Sequence, residues 1–254
     1  MEVIQLYSNG PLRNYSYLLC SDQGEAWVID PFYPDQIIKE LNKRNLKLQV
    51  IINTHEHSDH TQGNLELVEK FSCEVWAHPR GKGIIPGQSR TLNAHEILWF
   101  GKDEIEVWHT PGHTFAHLCL LLKDGSNPFG IVTGDTLFNA GAGNCYNGGD
   151  PETLYQSFVS YFYPLADEIK VYPGHDYLIN NLKFTLSLEE ANVDAQQLLK
   201  QWEGRSHQYV GDFKMEKKVN TFLRTHHQEL RQLISDTATE KEVFIKLRQL
   251  RNTW

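Results

Sequence analysis

The chain is short of cysteine and of positive charge, and it has no long apolar run. Its four cysteines, Cys20, Cys73, Cys119 and Cys145, lie far apart with no CxxC pair, which excludes a disulfide framework and a thiolate metal site. No stretch reaches 18 consecutive apolar residues, so no membrane-spanning helix is expected. The opening "MEVIQLYSNGPLRNYSYLLC" lacks the basic and apolar regions of a secretion signal, and a cytoplasmic location is expected on that ground. Lys and Arg number 24 against 32 Asp and Glu, a formal net charge of −8, which argues against nucleic acid and anionic membrane surfaces as partners. A small anionic substrate would therefore need a local positive site. What is present is an ordinary globular balance, 40% hydrophobic and 22% charged over 254 residues, enough for a domain of about 170 residues and a smaller one.

Short apolar, β-branched runs read as buried strands: "AWVID" at 26–30, "LQVIINT" at 48–54, "EVWAH" at 74–78, "IEVWHT" at 105–110, "FGIVTGD" at 129–135 and "IKVYPGH" at 169–175. "DQIIKELNKRN" and "GNLELVEKF" carry apolar residues at helical spacing, so the first part of the chain, residues 1–174, reads as α/β. Residues 175–254 read as a small all-α domain, with "YLINNLKFTLSLEEANVDAQQLLKQW", "MEKKVNTFLRTHHQELRQLI" and "TEKEVFIKLRQLRNTW" as its helical stretches. In the last of these Thr239 and Glu242 fit a capping box, and Val243, Leu247, Leu250 and Trp254 form one apolar stripe.

The chemistry concentrates in "NTHEHSDHTQGN", which places His55, His57, Asp59 and His60 within six positions after a buried strand. Imidazoles and carboxylates at this density call for a divalent cation. Further ligand types follow apolar runs: His113 in "HTPGHT", Asp135 in "TGDTLF" and His175 in "YPGHDY". Strand ends gather at one edge of an open α/β sheet, so these residues can converge there. Seven ligands exceed the needs of one zinc, which takes about four. Two ions fit, with Asp135 bridging, His55, His57 and His113 on the first, and Asp59, His60 and His175 on the second. Such a pair supplies the local positive site and a nucleophile at neutral pH, and Asp59 can orient or accept the nucleophile's proton. Isolated histidines (His78, His95, His109, His207, His226 and His227) read as surface or hydrogen-bonded residues, and His117 and Asp30 as supports behind the ligands.

"THEHSDH" with His113, Asp135 and His175 resembles the metallo-β-lactamase superfamily, whose signature is HxHxDH followed by His, Asp and His. The resemblance implies an αββα sandwich. "NYSYLL", "TPGHT", "GDTLF", "GHDYLINNLKF", "FLRT" and "KLRQLRNTW" are similar to the glyoxalase II (hydroxyacylglutathione hydrolase) family. That likeness implies hydrolysis of S-lactoylglutathione and related thioesters to glutathione and a 2-hydroxy acid, in methylglyoxal detoxification. It also implies a glutathione thioester as the small-molecule partner; the mixed His and carboxylate set accepts two divalent ions per chain, zinc first, with iron or manganese also accepted, and a monomer is expected although no motif reports the oligomeric state. Tyr177, Arg248 and Arg251 are the implied glutathione contacts; the two arginines stand three apart on one helix and can grip a carboxylate. One stretch departs from the family, "AGAGNCYNGGD" after "GDTLF": Tyr146 keeps an aromatic, but Asn144 stands where the family has a basic residue beside the substrate, Ala142 where it has cysteine and Asn147 where it has an acid. The alternatives are another glutathione-derivative enzyme of this fold, such as a persulfide dioxygenase with a single iron, and a non-catalytic binder.

Overall fold

A computed structural model describes residues 1–205 and 209–254. The chain begins with β1 (Glu2–Tyr7), β2 (Tyr15–Cys20), β3 (Glu25–Ile29), α1 (Pro34–Arg44), β4 (Lys47–Ile52), α2 (Ser58–Thr61), α3 (Asn64–Phe71), β5 (Glu74–Ala77) and β6 (Arg90–Thr91). These six strands form one sheet in chain order, antiparallel to β3 and parallel beyond it. Then come β7 (Ile97–Phe100), β8 (Asp103–His109), β9 (Leu118–Asp124), β10 (Asn127–Gly134), the small hairpin of β11 (Leu137–Phe138) and β12 (Gly141–Ala142), α4 (Pro151–Ser157) and β13 (Lys170–Pro173). The remainder holds α5 (Leu178–Leu188), α6 (Val193–Trp202), β14 (Gly211–Asp212), α7 (Phe213–Val219), α8 (Gln228–Arg231) and α9 (Glu240–Thr253). The second sheet is ordered β14-β13-β10-β9-β8-β7, with β10 and β13 parallel.

The central strands of each sheet are buried on both faces, which is why they read as largely apolar runs, whereas the edge strand β7 alternates buried and exposed residues. One face of each strand turns to the space between the sheets: Tyr17 and Leu19, Trp27 and Ile29, Val50 and Ile52 meet Ile105, Val107, Leu118, Leu120 and Val132 there. The opposite residues of the first sheet, Leu18, Val28, Ile51 and Val75, pack under Ile37 and Leu41 of α1 and Leu67 of α3. Those of the second, Trp108, Leu121, Ile131 and Val171, pack under Leu154, Phe158 and Phe162, and also under Phe213, Phe222, Val243, Phe244 and Leu247. The result is the αββα sandwich. Its outer layer on the second sheet is completed by the C-terminal helical region, and the two parts distinguished in the sequence share a core.

Within that region the capping box of Thr239 and Glu242 is formed. Val243 and Leu247 are buried, whereas Trp254 at the end of the expected stripe is 50% exposed and meets Phe184 edge-on. The helical stretch expected over 215–234 is broken after Val219. Asn220 leaves helical geometry, and its side-chain oxygen caps the short turn that follows by accepting from Phe222 N (3.1 Å). Gly211–Asp212 adds a strand to the second sheet instead of a helical turn.

Glu216 on α7 is fully buried, with Oε2 accepting from Ala140 N (2.8 Å) and Asn220 Nδ2 (2.9 Å) and Oε1 without a hydrogen-bond partner. Burial pushes this carboxyl up to about 8. A folded-state value above the unfolded one gives stability that is complete below the ordinary 4.5 and is lost as the pH rises through about 8. Glu216→Gln keeps an acceptor oxygen and cannot ionise, so its melting temperature should gain on the parent's between about pH 5 and pH 9. Parallel Tm curves over that range would refute the assignment.

Candidate metal centre and adjoining cleft

The ends of β4, β8, β10 and β13 open at one edge of the two sheets, and the seven ligand-type residues stand there together. His55 Nε2 is 3.1 Å from His57 Nδ1, which is 3.1 Å from His113 Nε2. Beside them His60 Nε2 and His175 Nε2 are 3.2 Å apart, with Asp59 Oδ2 3.6 and 3.4 Å from them respectively. Asp135 faces both groups: Oδ2 lies 3.5 Å from His113 Nε2 and 3.2 Å from His175 Nε2, and Oδ1 lies 3.5 Å from His60 Nε2.

Each imidazole is tied by the nitrogen that faces away from the centre. His57 Nε2 meets Asn147 O (3.3 Å), His60 Nδ1 meets Asp30 Oδ2 (2.9 Å), His113 Nδ1 meets Asn144 O (2.7 Å) and His175 Nδ1 meets Leu12 O (2.7 Å). His55 Nδ1 meets Thr54 Oγ1 (3.0 Å), whose own proton is given to Asp30 Oδ2 (2.6 Å). All of these partners accept, so the proton sits on the outer nitrogen and a lone pair points inward on each ring. Lone pairs 3.1 to 3.2 Å apart repel, and Asp135 Oδ1 is buried with no hydrogen-bond donor. This donor set fits divalent cations.

The ionisation tendencies of two of the rings agree. Burial lowers the pKa of His55 and of His113, favouring the neutral ring that a metal needs. His60 is also buried, but the carboxylates of Asp135 and Asp30 outweigh that effect and raise it. Burial would raise Asp135, yet His175 and His60 hold it well below the carboxylate range. The Asp135 carboxylate thus stays ionised and favours positive charge beside it, the place a metal cation would take.

The supports are mostly buried polar groups. Asp30 accepts from Thr54 N (2.7 Å) as well as from His60, and Asn14 Nδ2 donates to Asp59 Oδ2 (2.9 Å). His117 does not face the centre; its Nε2 accepts from Asp135 N (3.0 Å) while its ring stacks on His55. Gly134, at φ +46°, supplies the left-handed turn that points Asp135 inward, and Thr54 Oγ1 and His117 Nε2 occupy the space of a side chain there. His78, His95, His109, His226 and His227 belong to neither group; His207 lies outside the described residues. Sequence reasoning missed Asn14, although it stands in "NYSYLL", the stretch that carried part of the family resemblance.

Asn144, Tyr146, Tyr177, Arg248 and Arg251 line a single cleft of about 330 Å³, with Phe138, Asn181 and Asn252. Tyr177 stacks on His175 at 5.1 Å between ring centres, so the cleft adjoins the centre. Tyr146 is 66% exposed at the cleft, and the Asn144 side chain accepts from Tyr146 N (3.2 Å). Both arginines reach this cleft, as their spacing on one helix implied, but their donors are engaged differently. Arg248 is 4% exposed and gives Nη1 to Ala142 O (2.7 Å) and Gly143 O (2.9 Å), whereas half-buried Arg251 reaches Asn181 Oδ1 (3.3 Å). The Phe222 ring beneath Arg248 and the Phe184 and Trp254 rings beside Arg251 hold the two guanidinium groups on different supports.

Residues 9–175 match the model of the metallo-beta-lactamase superfamily, and residues 176–254 match that of the hydroxyacylglutathione hydrolase C-terminus. The hydroxyacylglutathione hydrolase of Nitrosococcus oceani is 39% identical over the full length of both chains. The chain belongs to the hydroxyacylglutathione hydrolase family. A second member, from a Polaromonas species, is 38% identical, again over both full lengths. Among solved structures, ETHE1 from Myxococcus xanthus superposes with a TM-score of 0.70 at 24% identity, covering 98% of this chain and 90% of that one, a likeness of fold. None of the described helices is long and apolar enough to cross a membrane.

Proposed function

We propose that the chain hydrolyses S-(2-hydroxyacyl)glutathione, with S-lactoylglutathione as the reference substrate, to glutathione and a 2-hydroxy acid, and so removes methylglyoxal in its thioester form. The observation that carries this reading is the junction of a seven-residue ligand cluster with a cleft bearing two guanidinium groups, in a chain aligned end to end with hydroxyacylglutathione hydrolases. Residues 1–174 would carry the chemistry and residues 175–254 most of the grip on glutathione. His55, His57 and His113 would hold one divalent ion, Asp59, His60 and His175 a second, and Asp135 would lie between them; zinc suits this mixed set, as do iron and manganese. Such ions, when bound, lower the pKa of water to about 7 and polarise a carbonyl.

The remaining steps belong to the side chains. Asp59, more exposed than Asp135 and held through Oδ2 by Asn14, takes the proton of the attacking water. The departing group is a thiol with a pKa of about 8.5, so it leaves as thiolate without a strong acid beside it. Arg251, Tyr146 and Tyr177 hold the peptide portion of glutathione, and the Asn144 amide replaces a cation with a neutral contact. Free Cys20, Cys73, Cys119 and Cys145 suit the reducing cytoplasm, where glutathione is abundant. A persulfide dioxygenase with one iron would leave the Asp59, His60 and His175 group without a task.

The test is to load the protein with metal, measure the content, and follow thioester absorbance with S-lactoylglutathione. Hydrolysis with two metal equivalents per chain is expected; no hydrolysis despite that content would overturn the reading. Arg251→Ala should raise KM about tenfold with kcat little changed, the worth of one charged hydrogen bond spent on binding. A fall in kcat at unchanged KM would show that Arg251 has another role.

A further inference from the structure

The hairpin of β11 and β12 and the residue after it, 137–143, are held by side chains of the C-terminal helical region. Asn181 Nδ2 donates to Asn139 O (2.9 Å), Glu216 Oε2 accepts from Ala140 N (2.8 Å), Asn220 Nδ2 donates to Gly141 O (3.0 Å), and Arg248 Nη1 donates to Ala142 O and Gly143 O. All four of these side chains are buried. The hairpin in turn bears on the metal centre from two sides. Phe138 lies edge-on to His175 at 5.9 Å, and the carbonyl one residue beyond Gly143, that of Asn144, orients His113. Gly143 has no slack, since a Cβ there would fall 1.8 Å from Asp135 O and 3.2 Å from His113 Nδ1.

We propose that Arg248 is a positioning residue for the metal centre: by fixing the carbonyls of Ala142 and Gly143 it places Asn144 O on His113, so that α9 acts on the chemistry and not only on substrate affinity. This rests on the reading of His113 as a metal ligand. Arg248 suits the task because its other contacts are rigid, Nε on Asn252 Oδ1 (3.0 Å) and the guanidinium over the Phe222 ring. A guanidinium with two carbonyls on one nitrogen sets an angle between them that a single bond would leave free.

The experiment compares the full chain with Arg248→Met, which keeps an apolar stem on Phe222, and Arg248→Lys, which restores donors. Metal affinity is measured by competition with a chromophoric chelator, and the ligand field by the visible spectrum of the cobalt-substituted protein. Arg248→Met should lose about tenfold in affinity for the ion of the His55, His57 and His113 group, change the cobalt spectrum and lower kcat as well as raise KM, and Arg248→Lys should recover most of the affinity. A higher KM with parental metal affinity, cobalt spectrum and kcat would overturn the proposal and leave Arg248 as a substrate contact. Should Arg248→Met not fold, Asn252→Ala, which removes only the acceptor that steadies Nε, is expected to give the same spectral change at lower amplitude, and an unchanged spectrum would overturn the proposal equally. A parent protein that binds no metal would sink the reading of His113 itself, a separate outcome.

Discussion

Asp135→Ala is expected to empty the metal centre and lower kcat for S-lactoylglutathione by roughly a thousandfold or more, with the fold intact. The other six ligand-type residues fall into two groups that touch through His55 and His60, and among the described residues Asp135 is the one side chain within 3.5 Å of nitrogens from both. Removing it leaves His60 and His175 facing each other at 3.2 Å with Asp59 as their sole nearby anion in the centre. It also takes from the His55, His57 and His113 group its only carboxylate. Two dications held close together without an anion between them repel strongly in a buried site. The fold should survive, because the backbone N–H of residue 135 still donates to His117 Nε2 and the strand pairing of β10 does not involve the carboxylate. Metal analysis by mass spectrometry, beside circular dichroism, checks both halves. Retention of two equivalents in Asp135→Ala would mean that the two groups do not share this ligand.

The six strands read from the sequence are all present, because each carries a largely apolar run whose residues are buried in the cores on either side of its sheet. Others escaped notice for physical reasons. β9 is also an apolar run, but "LCLLLKD" is as compatible with a buried helix as with a strand. β6, β11, β12 and β14 are two residues long, and their pairing is decided by neighbours distant in sequence. The ligand set was legible because metal chemistry restricts residue type, and HxHxDH compresses four ligands into six positions. Its supports were legible only in part: Asp30 and His117 stand behind the ligands as expected, but three of the five imidazoles are oriented by the backbone carbonyls of Leu12, Asn144 and Asn147, which any residue could supply. The same holds for the departure from the family at 140–149: its side chains differ, but its carbonyls still orient His57 and His113. The carbonyl contacts of Arg248 were not legible for a related reason. Spacing on a helix gives the face of a side chain but not whether its donors are already engaged.

Gly174→Ala should cost the centre one of its ions through a single methyl group. Gly174 precedes His175, and a Cβ built there would stand 2.2 Å from Asp135 Oδ1 and 2.9 Å from His60 Cε1. The backbone cannot withdraw, because Gly174 N donates to Gly134 O (2.7 Å) and its carbonyl accepts from Tyr15 N (2.8 Å), pinning it between the two sheets. Of the atoms in conflict, the Asp135 carboxylate is the freer, since His60 is fixed at Nδ1 by Asp30. The methyl group therefore rotates Oδ1 out of the centre. Overpacking of this kind costs about 1–3 kcal/mol in stability. The larger effect falls on function, with the Asp59, His60 and His175 group losing its ion and kcat falling roughly a hundredfold. Metal content near one equivalent, with Tm a few degrees below the parent's, is the expected result. Parental metal content and turnover in Gly174→Ala would show that the carboxylate does not occupy the space beside Gly174, and the bridging role of Asp135 would fall with it.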